Sequence, residues 1–172
     1  MAETLKADIA KEVNISARRN DSFRINLEVS DSTGVMDLAN FAYSSVPEYQ
    51  AKMTIINSSG ERVLSVYSYY WKGIVPAVNT DHPEDVVPTS STEGHFSGTS
   101  TDQGIDLVDQ TGSGTKAKIM IPHAYMGFQS GNYKYDLQIR KQSTGDAADE
   151  DVAEYTTWLY GVFTLNADIT QV

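Results

Sequence analysis

The 172-residue sequence contains no cysteine and only three histidines. Without a thiol there is no disulfide framework, no thiolate nucleophile and no cysteine-ligated metal site, and this absence suits a protein made in a reducing cytoplasm. His82, His95 and His123 lie far apart and lack the paired spacing of a zinc site. The sequence therefore predicts no cofactor and no metal centre.

Positive charge and long apolar runs are also scarce. Lysine and arginine number 13 against 23 aspartates and glutamates, which gives a formal net charge of -10 at pH 7. Such a charge repels phosphate backbones, so nucleic acid is not expected as a partner. No apolar run approaches the roughly 20 residues of a membrane helix, and MAETLKADIAKEV at the N-terminus lacks the apolar core of a secretory signal. We expect neither a membrane partner nor Sec export.

Recognisable catalytic patterns are missing as well. The segment TGSGTK at 111–116 does not have the glycine and lysine spacing of a phosphate-binding loop, and no GxSxG nucleophile elbow occurs. The many carboxylates are explained by surface acidity, since a catalytic pair cannot be identified from spacing alone. We therefore expect no enzymatic activity.

What the sequence has in quantity is period-two alternation. In GNYKYDLQIR, residues 131–140, the apolar positions Tyr133, Tyr135, Leu137 and Ile139 alternate with polar ones. The segments SFRINLEVS, EYQAKMTIIN, TKAKIMI and TTWLYGVFTLNADI alternate similarly, and RVLSVYSYYW is rich in β-branched and aromatic residues. This pattern predicts an all-β protein of antiparallel sheets, each strand burying one face.

Turn residues separate the predicted strands. NSSG at 57–60 predicts a short hairpin connection, and the segments Tyr133–Lys141 and Glu154–Leu165 predict a long hairpin. The acidic residues 146–151 at its tip are interpreted as a solvated turn that resists edge pairing. Calcium binding there is the alternative, although the liganding pattern of a calcium loop is absent.

Two regions depart from this compact pattern. In residues 1–13, Leu5, Ile9 and Val13 share a spacing of four, which fits one face of a short helix or of an extended arm. Residues 79–114 are rich in Ser, Thr, Gly, Asp and Pro, with one apolar island at Ile105–Val108. We predict an N-terminal arm (1–13) and a single domain (14–172) with an inserted loop (79–114), both segments being ordered by neighbouring subunits.

Four short motifs occur in a distinctive order along residues 14–170. They are Asn20-Asp21-Ser22-Phe23, Asp37-Leu38-Ala39-Asn40-Phe41, Gly131-Asn132-Tyr133-Lys134-Tyr135-Asp136-Leu137, and Leu159-Tyr160-Gly161-Val162-Phe163-Thr164-Leu165 followed by Asp168-Ile169-Thr170. This order resembles a small β-sandwich domain of tailed-bacteriophage virion proteins, found in tail and baseplate components and at the N-terminus of upper baseplate proteins. Asn20 stands where that family often has glycine, and the 65–110 region looks like an insertion.

The resemblance implies an immunoglobulin-like β-sandwich whose function is assembly, with no catalytic residues to carry over. It implies a virion location after synthesis in the host bacterial cytoplasm, with other virion proteins as partners in several symmetric copies. The side chains expected at the interface are Leu5, Ile9, Val13, Tyr69, Tyr70, Trp71, His95 and Phe96.

Two other functions remain open at this point. One is a capsid decoration or fibre-base protein, which would bind the head lattice. The other is a carbohydrate-binding module that uses Tyr67, Tyr69, Tyr70 and Trp71, although packing in a core or interface explains such a cluster as well.

Overall fold

The regular structure of the chain is β-strand. The computed structural model describes residues 2–6 (backbone), 10–43, 46–73, 82–88, 95–112, 114–142 and 153–168. Over these ranges the chain has two short 3-10 turns, Trp71–Gly73 and His123–Tyr125, and no α-helix. The all-β prediction is confirmed.

The strands are β1 (Ala2–Lys6), β2 (Lys11–Glu12), β3 (Ile15–Arg18), β4 (Phe23–Asp31), β5 (Gly34–Val35), β6 (Phe41–Tyr43), β7 (Val46–Pro47), β8 (Tyr49–Ile56), β9 (Arg62–Tyr67), β10 (Asp85–Val86), β11 (Gly104–Asp106), β12 (Ala117–Ile121), β13 (Gly131–Gln142) and β14 (Ala153–Asn166). Sheet 1 has the order β1-β4-β12-β11, with β5 also paired to β4. Sheet 2 has the order β10-β9-β8-β13-β14-β2, with β3 also paired to β14. Strands β6 and β7 form a separate small hairpin.

Both predicted hairpins are present in sheet 2. Strands β8 and β9 pair antiparallel, and the Asn57 side chain accepts hydrogen bonds from the backbone N–H groups of Ser59 and Glu61, both at 2.9 Å. Strands β13 and β14 pair antiparallel along their whole length. The acidic tip of this hairpin, including residues 146–151, lies outside the described residues.

The expectation of purely antiparallel sheets is wrong at the sheet edges. Strand β1 runs parallel to β4, β2 and β3 run parallel to β14, and β10 runs parallel to β9. Parallel neighbours require a crossover connection instead of a hairpin. Here β3 lies in sheet 2 while the next strand, β4, lies in sheet 1, so the chain crosses between the sheets.

One apolar core joins the two sheets. The predicted inward faces of β4, β8, β12 and β13 are all buried in it, and Phe23 and Tyr133 pack against it at its margin. Its members from these strands are Ile25, Leu27, Val29, Tyr49, Ala51, Met53, Ile55, Ala117, Ile119, Ile121, Tyr135, Leu137 and Ile139. Alternation therefore predicted the facing of these four strands correctly.

Strand β14 departs from simple alternation at Trp158. Alternation predicts that Trp158 and Leu159 lie on opposite faces of β14. Both side chains are nevertheless buried, with 2% and 1% of their surface exposed. Leu137 pairs with Leu159 while the next residue, Gln138, pairs with Thr157, so Trp158 is an extra residue in the register. Such a bulge places two consecutive side chains on the same side of the sheet, which period two does not predict.

The N-terminal arm belongs to the domain's own sheets, contrary to expectation. Leu5 lies on β1, opposite Val29 of β4, so the extended alternative is correct for residues 2–6 and the helical one is wrong. Val13 is half-buried against the core, and its carbonyl accepts a 2.6 Å hydrogen bond from the Tyr135 hydroxyl. Ile9 lies outside the described residues.

The inserted loop 79–114 also contributes to the domain, although its polar composition suggested that it offers little core of its own. Val86 on β10 is fully buried, and Ile105 on β11 is 1% exposed. Both strands pair with the sheets, β10 with β9 and β11 with β12. Two short apolar stretches, one of Val86 and Val87 and the other the island that begins at Ile105, therefore anchor a segment whose composition is otherwise polar.

Candidate functional site

The predicted aromatic run is divided by a strained turn after β9. Ser68 closes the strand, with its N–H donating to the Ala51 carbonyl at 2.9 Å and its Oγ accepting from the Ala51 N–H at 2.7 Å. The backbone is then left-handed at Tyr70 (φ 68°) and Lys72 (φ 54°). Left-handed backbone is costly for side chains this large, and such strain clusters at functional sites.

The turn places Trp71 against a tyrosine from the last strand. The rings of Trp71 and Tyr155 lie 6.4 Å apart, edge to face, and Tyr155 is 39% exposed. Two cations also approach the Tyr155 ring, with Lys72 Nζ at 5.7 Å and the Arg140 guanidinium carbon at 6.0 Å. We call Trp71, Lys72, Arg140 and Tyr155 the aromatic corner.

A buried arginine anchors the aromatic corner to the sheet. Arg140 is fully buried, and its guanidinium donates hydrogen bonds to the Tyr155 hydroxyl at 3.2 Å and to Gln50 Oε1 at 3.3 Å. Gln50 Oε1 also accepts a 2.8 Å hydrogen bond from the backbone N–H of Lys72. These hydrogen bonds connect the aromatic corner to three strands, β8, β13 and β14. Because buried polar groups are costly to leave unpaired, the bonds also fix the positions of the side chains in the corner.

Arg140 corrects a sequence expectation. The sequence predicts that each strand buries only one face, and on the polar face of β13 Gln138 is indeed only half-buried. At Arg140 the same face is instead closed, because Tyr155 and the turn that carries Lys72 supply its neighbours. Alternation identifies a side of the sheet but not what covers that side.

A second cluster lies at the seam where the two sheets approach each other. Ser68 at the end of β9 forms a parallel bridge with Ile105 of β11, in the other sheet. Gly104 is left-handed, and a Cβ there would lie 2.9 Å from the Tyr67 carbonyl oxygen and 3.0 Å from the Pro88 nitrogen. The seam therefore requires glycine at 104.

Tyr69 and His95 meet in an apolar pocket at this seam. The pocket is also lined by Leu38, Ile105 and Leu107, and by Phe41, whose side chain is 45% exposed. Tyr69 is in ring contact with Tyr70 at 5.5 Å. The structure thus brings His95 close to the consecutive residues Tyr69 and Tyr70, all three of them predicted interface residues. His95 lies about 25 positions from the two tyrosines in the sequence.

His95 is held at the pocket by a buried carboxylate. Its Nδ1 lies 2.8 Å from Oδ1 of Asp106, which is 4% exposed, and Oδ2 of Asp106 accepts the backbone N–H of Phe96 at 3.0 Å. The pocket hydroxyl, Ser68 Oγ, is engaged with the backbone of Ala51 and Tyr69. Asp106 therefore acts on the loop as a positioning group, holding two consecutive residues at the seam.

The other predicted interface residues lie elsewhere. Phe96 lines a separate groove on sheet 1. Val13 contacts the core beside β14, and Leu5 lies on β1 at the edge of sheet 1. Sequence reasoning did not identify Arg140 and Tyr155, because their roles depend on contacts among strands that are distant in the chain.

The described residues provide neither a metal-binding cluster nor a membrane-spanning helix. Among the described residues, no group of three or more His, Cys, Asp or Glu side chains is placed to hold a metal ion. Within those ranges, no helix is long and apolar enough to cross a membrane. The acidic tip, where calcium was the alternative, is not part of the described residues.

The chain matches no protein-family model and no curated protein. What bears on function is therefore the geometry of the aromatic corner and the seam.

Proposed function

We propose that the protein is a non-enzymatic structural component of a bacteriophage virion, located in the tail, baseplate or neck. In this role it docks to neighbouring virion subunits in several symmetric copies, after synthesis in the host bacterial cytoplasm. The motif order from Asn20 to Thr170 supports this assignment. The fold is then an immunoglobulin-like β-sandwich, which the single core shared by two sheets supports.

The observation that carries the docking role is the aromatic corner. Its outermost ring, Tyr155, is 39% exposed, yet it is held in place by a hydrogen bond from the fully buried Arg140. Protein interfaces are enriched in Tyr, Trp and Arg, and rigid aromatic anchors lose little conformational entropy on binding. A partly exposed aromatic side chain on a fixed platform is suited to contact another subunit.

The test is incorporation into particles. The protein, carrying Trp71→Ala or Tyr155→Phe, is supplied during an infection in which the resident gene is deleted, and purified particles are assayed by quantitative mass spectrometry. We expect Trp71→Ala to lower incorporation about tenfold, the loss typical of one interface anchor. Tyr155→Phe keeps the ring but removes the hydroxyl that receives the Arg140 bond, so its loss should be smaller.

Tyr160→Ala is the matched control. Tyr160 lies on the same strand as Tyr155 and is 44% exposed, but it is not part of the aromatic corner. Its removal should leave incorporation unchanged. Absence of the protein from purified particles would refute the virion role, and equal incorporation of all the variants would refute the docking role of the corner.

The alternative positions and functions have their own readouts. Immunogold labelling of intact particles distinguishes a tail, baseplate or neck location from capsid decoration or a fibre base. For a carbohydrate-binding module at the aromatic run, the edge-to-face contact of Trp71 and Tyr155 is unfavourable, since it does not form a flat stacking platform. A neutral glycan that binds the wild type but not Trp71→Ala would favour that function instead.

A further inference from the structure

The outer face of sheet 1 carries a groove of about 670 Å³, away from the aromatic corner. Its floor consists of side chains from β4 and β12, and its wall is the loop from Phe96 to Asp102. This volume lies within the range of small-ligand sites. The groove is thus large enough for a small organic ligand.

Two cations, Arg24 and Lys118, line the floor of the groove. Arg24 and Asn26 lie on β4, opposite Met120 and Lys118 of β12 in the antiparallel register. Within the part of the chain that the structure describes, neither Arg24 nor Lys118 forms an ion pair. By contrast, the nearby Lys116 pairs with Glu28 at 3.0 Å. Two cations without an ion pair among the described residues, diagonal to each other on one face of the sheet, favour an anionic group at this position in a chain of net charge -10.

The wall of the groove is fixed from behind by a buried carboxylate. Asp102 is 7% exposed; its Oδ1 accepts the backbone N–H and the hydroxyl of Ser97, both at 3.0 Å. Its Oδ2 accepts the backbone N–H of Gly98 at 2.8 Å. The charge of Asp102 is thus directed to loop N–H groups, and the wall is pre-organised before any ligand arrives.

The remaining groups of the groove are those that recognise sugars. The wall presents the ring of Phe96 and the hydroxyls of Thr99 and Ser100, and the floor presents the amide of Asn26. An aromatic face attracts the weakly positive C–H groups of a sugar ring. The floor is a sheet face and not an edge, so it offers no row of backbone groups to pair with an extended peptide.

We propose that this groove binds an acidic saccharide. The carboxylate of the saccharide contacts Arg24 and Lys118, and one of its sugar rings lies against Phe96. A sulfate or phosphate on a sugar presents the same oxyanion chemistry, so the shared requirement is an anionic group on a saccharide. The site is independent of the aromatic corner and does not rest on the assembly role.

Isothermal titration of the full chain with trigalacturonic acid tests the proposal. The methyl ester of the same trisaccharide, which is neutral, is the matched ligand control. A sulfated trisaccharide distinguishes the kind of anion. We expect the acid to bind and the ester to bind at least tenfold more weakly. Arg24→Ala and Lys118→Ala should each lower the affinity about tenfold, whereas Lys116→Ala should leave it unchanged.

Each outcome decides the question. If only the sulfated sugar binds and the same variants weaken it, the site is confirmed with a different anion. Equal binding of acid and ester, or unchanged affinity in Arg24→Ala and Lys118→Ala, overturns it. Tighter binding of hexaglutamate than of any saccharide also overturns it, because the groove would then be a docking site for an acidic protein. Failure of every saccharide to bind refutes the proposal as well.

Discussion

The N-terminal arm and the 79–114 segment were both expected to be ordered by neighbouring subunits more than by their own domain. The structure holds both segments within the domain, but by different means. The arm is held by main-chain pairing, with β1 on sheet 1 and β2 on sheet 2. The 79–114 segment adds only the short strands β10 and β11 and depends more on buried side chains, among them Val86, Asp102 and Asp106.

This difference shows two ways in which a polar segment is ordered. Strand pairing satisfies backbone groups whatever the side chains are, so an arm with few apolar residues still adds to a sheet. A loop without long strands needs local acceptors, and buried carboxylates supply them to neighbouring N–H groups. We therefore expect steric changes along β14 to weaken the attachment of the arm to its sheet. The loss of a single buried carboxylate should instead destabilise the loop.

Gly161→Ala gives the largest expected effect and acts on the arm. A Cβ at position 161 would overlap the carbonyl oxygen of Val13 and lie 3.0 Å from its carbon. The clash displaces the arm from β14 and disrupts the 2.9 Å hydrogen bond from the Val13 N–H to Tyr160. We expect the free energy of unfolding to fall by about 2–4 kcal/mol in a urea titration, as for severe overpacking.

Gly131→Ala is the matched control for this change. Gly131 has nearly the same backbone angle (φ 157° against 154°), but a Cβ there meets nothing closer than 4.0 Å. The two variants share the cost of the unusual φ and differ in the clash. Equal losses of stability would show that the arm is not seated against Gly161.

Asp106→Ala has the next largest expected effect and acts on the loop. It removes the acceptor of both His95 and the Phe96 N–H, so we expect a loss of about 1–3 kcal/mol. Hydrogen exchange should accelerate at residues 95–98 while residues 11–16 remain protected. Asp31→Ala, at an exposed turn, is the control and should leave exchange in both regions unchanged. Equal acceleration of exchange in the arm and the loop would mean that the two segments open together as one cooperative unit.

Asp102 makes the stability of the loop dependent on pH. Burial raises the pKa of its carboxyl, but hydrogen bonds from Ser97, Gly98 and Thr99 outweigh burial and lower the pKa below the ordinary 3.8. The stability that this lowering contributes is therefore complete well above pH 3.8 and is lost as the pH falls through the folded-state pKa. Because the carboxylate of Asp102 accepts hydrogen bonds from residues of the loop, this pH-dependent stabilisation does not act on the arm.

Urea titrations of the wild type and Asp102→Asn between about pH 2.5 and pH 6 measure this contribution. The wild type should be more stable at the upper end, and the difference should shrink as the pH falls below 3.8. All other titrating groups are common to both proteins and cancel in the difference. A difference that is constant with pH would contradict the prediction.

Gly98→Ala gives the smallest expected effect. Gly98 is left-handed (φ 82°) with nothing within 4 Å of a built Cβ, so the substitution costs only the backbone strain, about 1 kcal/mol. Gly127→Ala, where a Cβ would be 3.7 Å from Asn20 Oδ1, should cost less, because its φ is not in the left-handed region. If Gly98→Ala were as costly as Gly161→Ala, the loop would be more tightly packed than the structure shows.

Much of the fold could be predicted from the sequence, and parts of the candidate site could not. Alternation placed Tyr135, Leu137 and Ile139 in the core because a strand's side chains alternate between its two faces, whatever lies on either side. The bulge at Trp158 escaped prediction because an extra residue is defined only by the register with β13. Tyr69 and His95 were named as interface residues, but their meeting in one pocket was not foreseen.

The sequence by itself determined the all-β class, the two hairpins of sheet 2 and the facing of the central strands, since these follow from local pattern and turn chemistry. Only the tertiary structure decided that the arm lies parallel to β4 and β14, and that Arg140 is fully buried. The contact between Arg140 and Gln50 joins residues 90 positions apart. Period-two alternation states which side of a strand is apolar, but the partners of a buried polar group come from strands that the chain brings together only on folding.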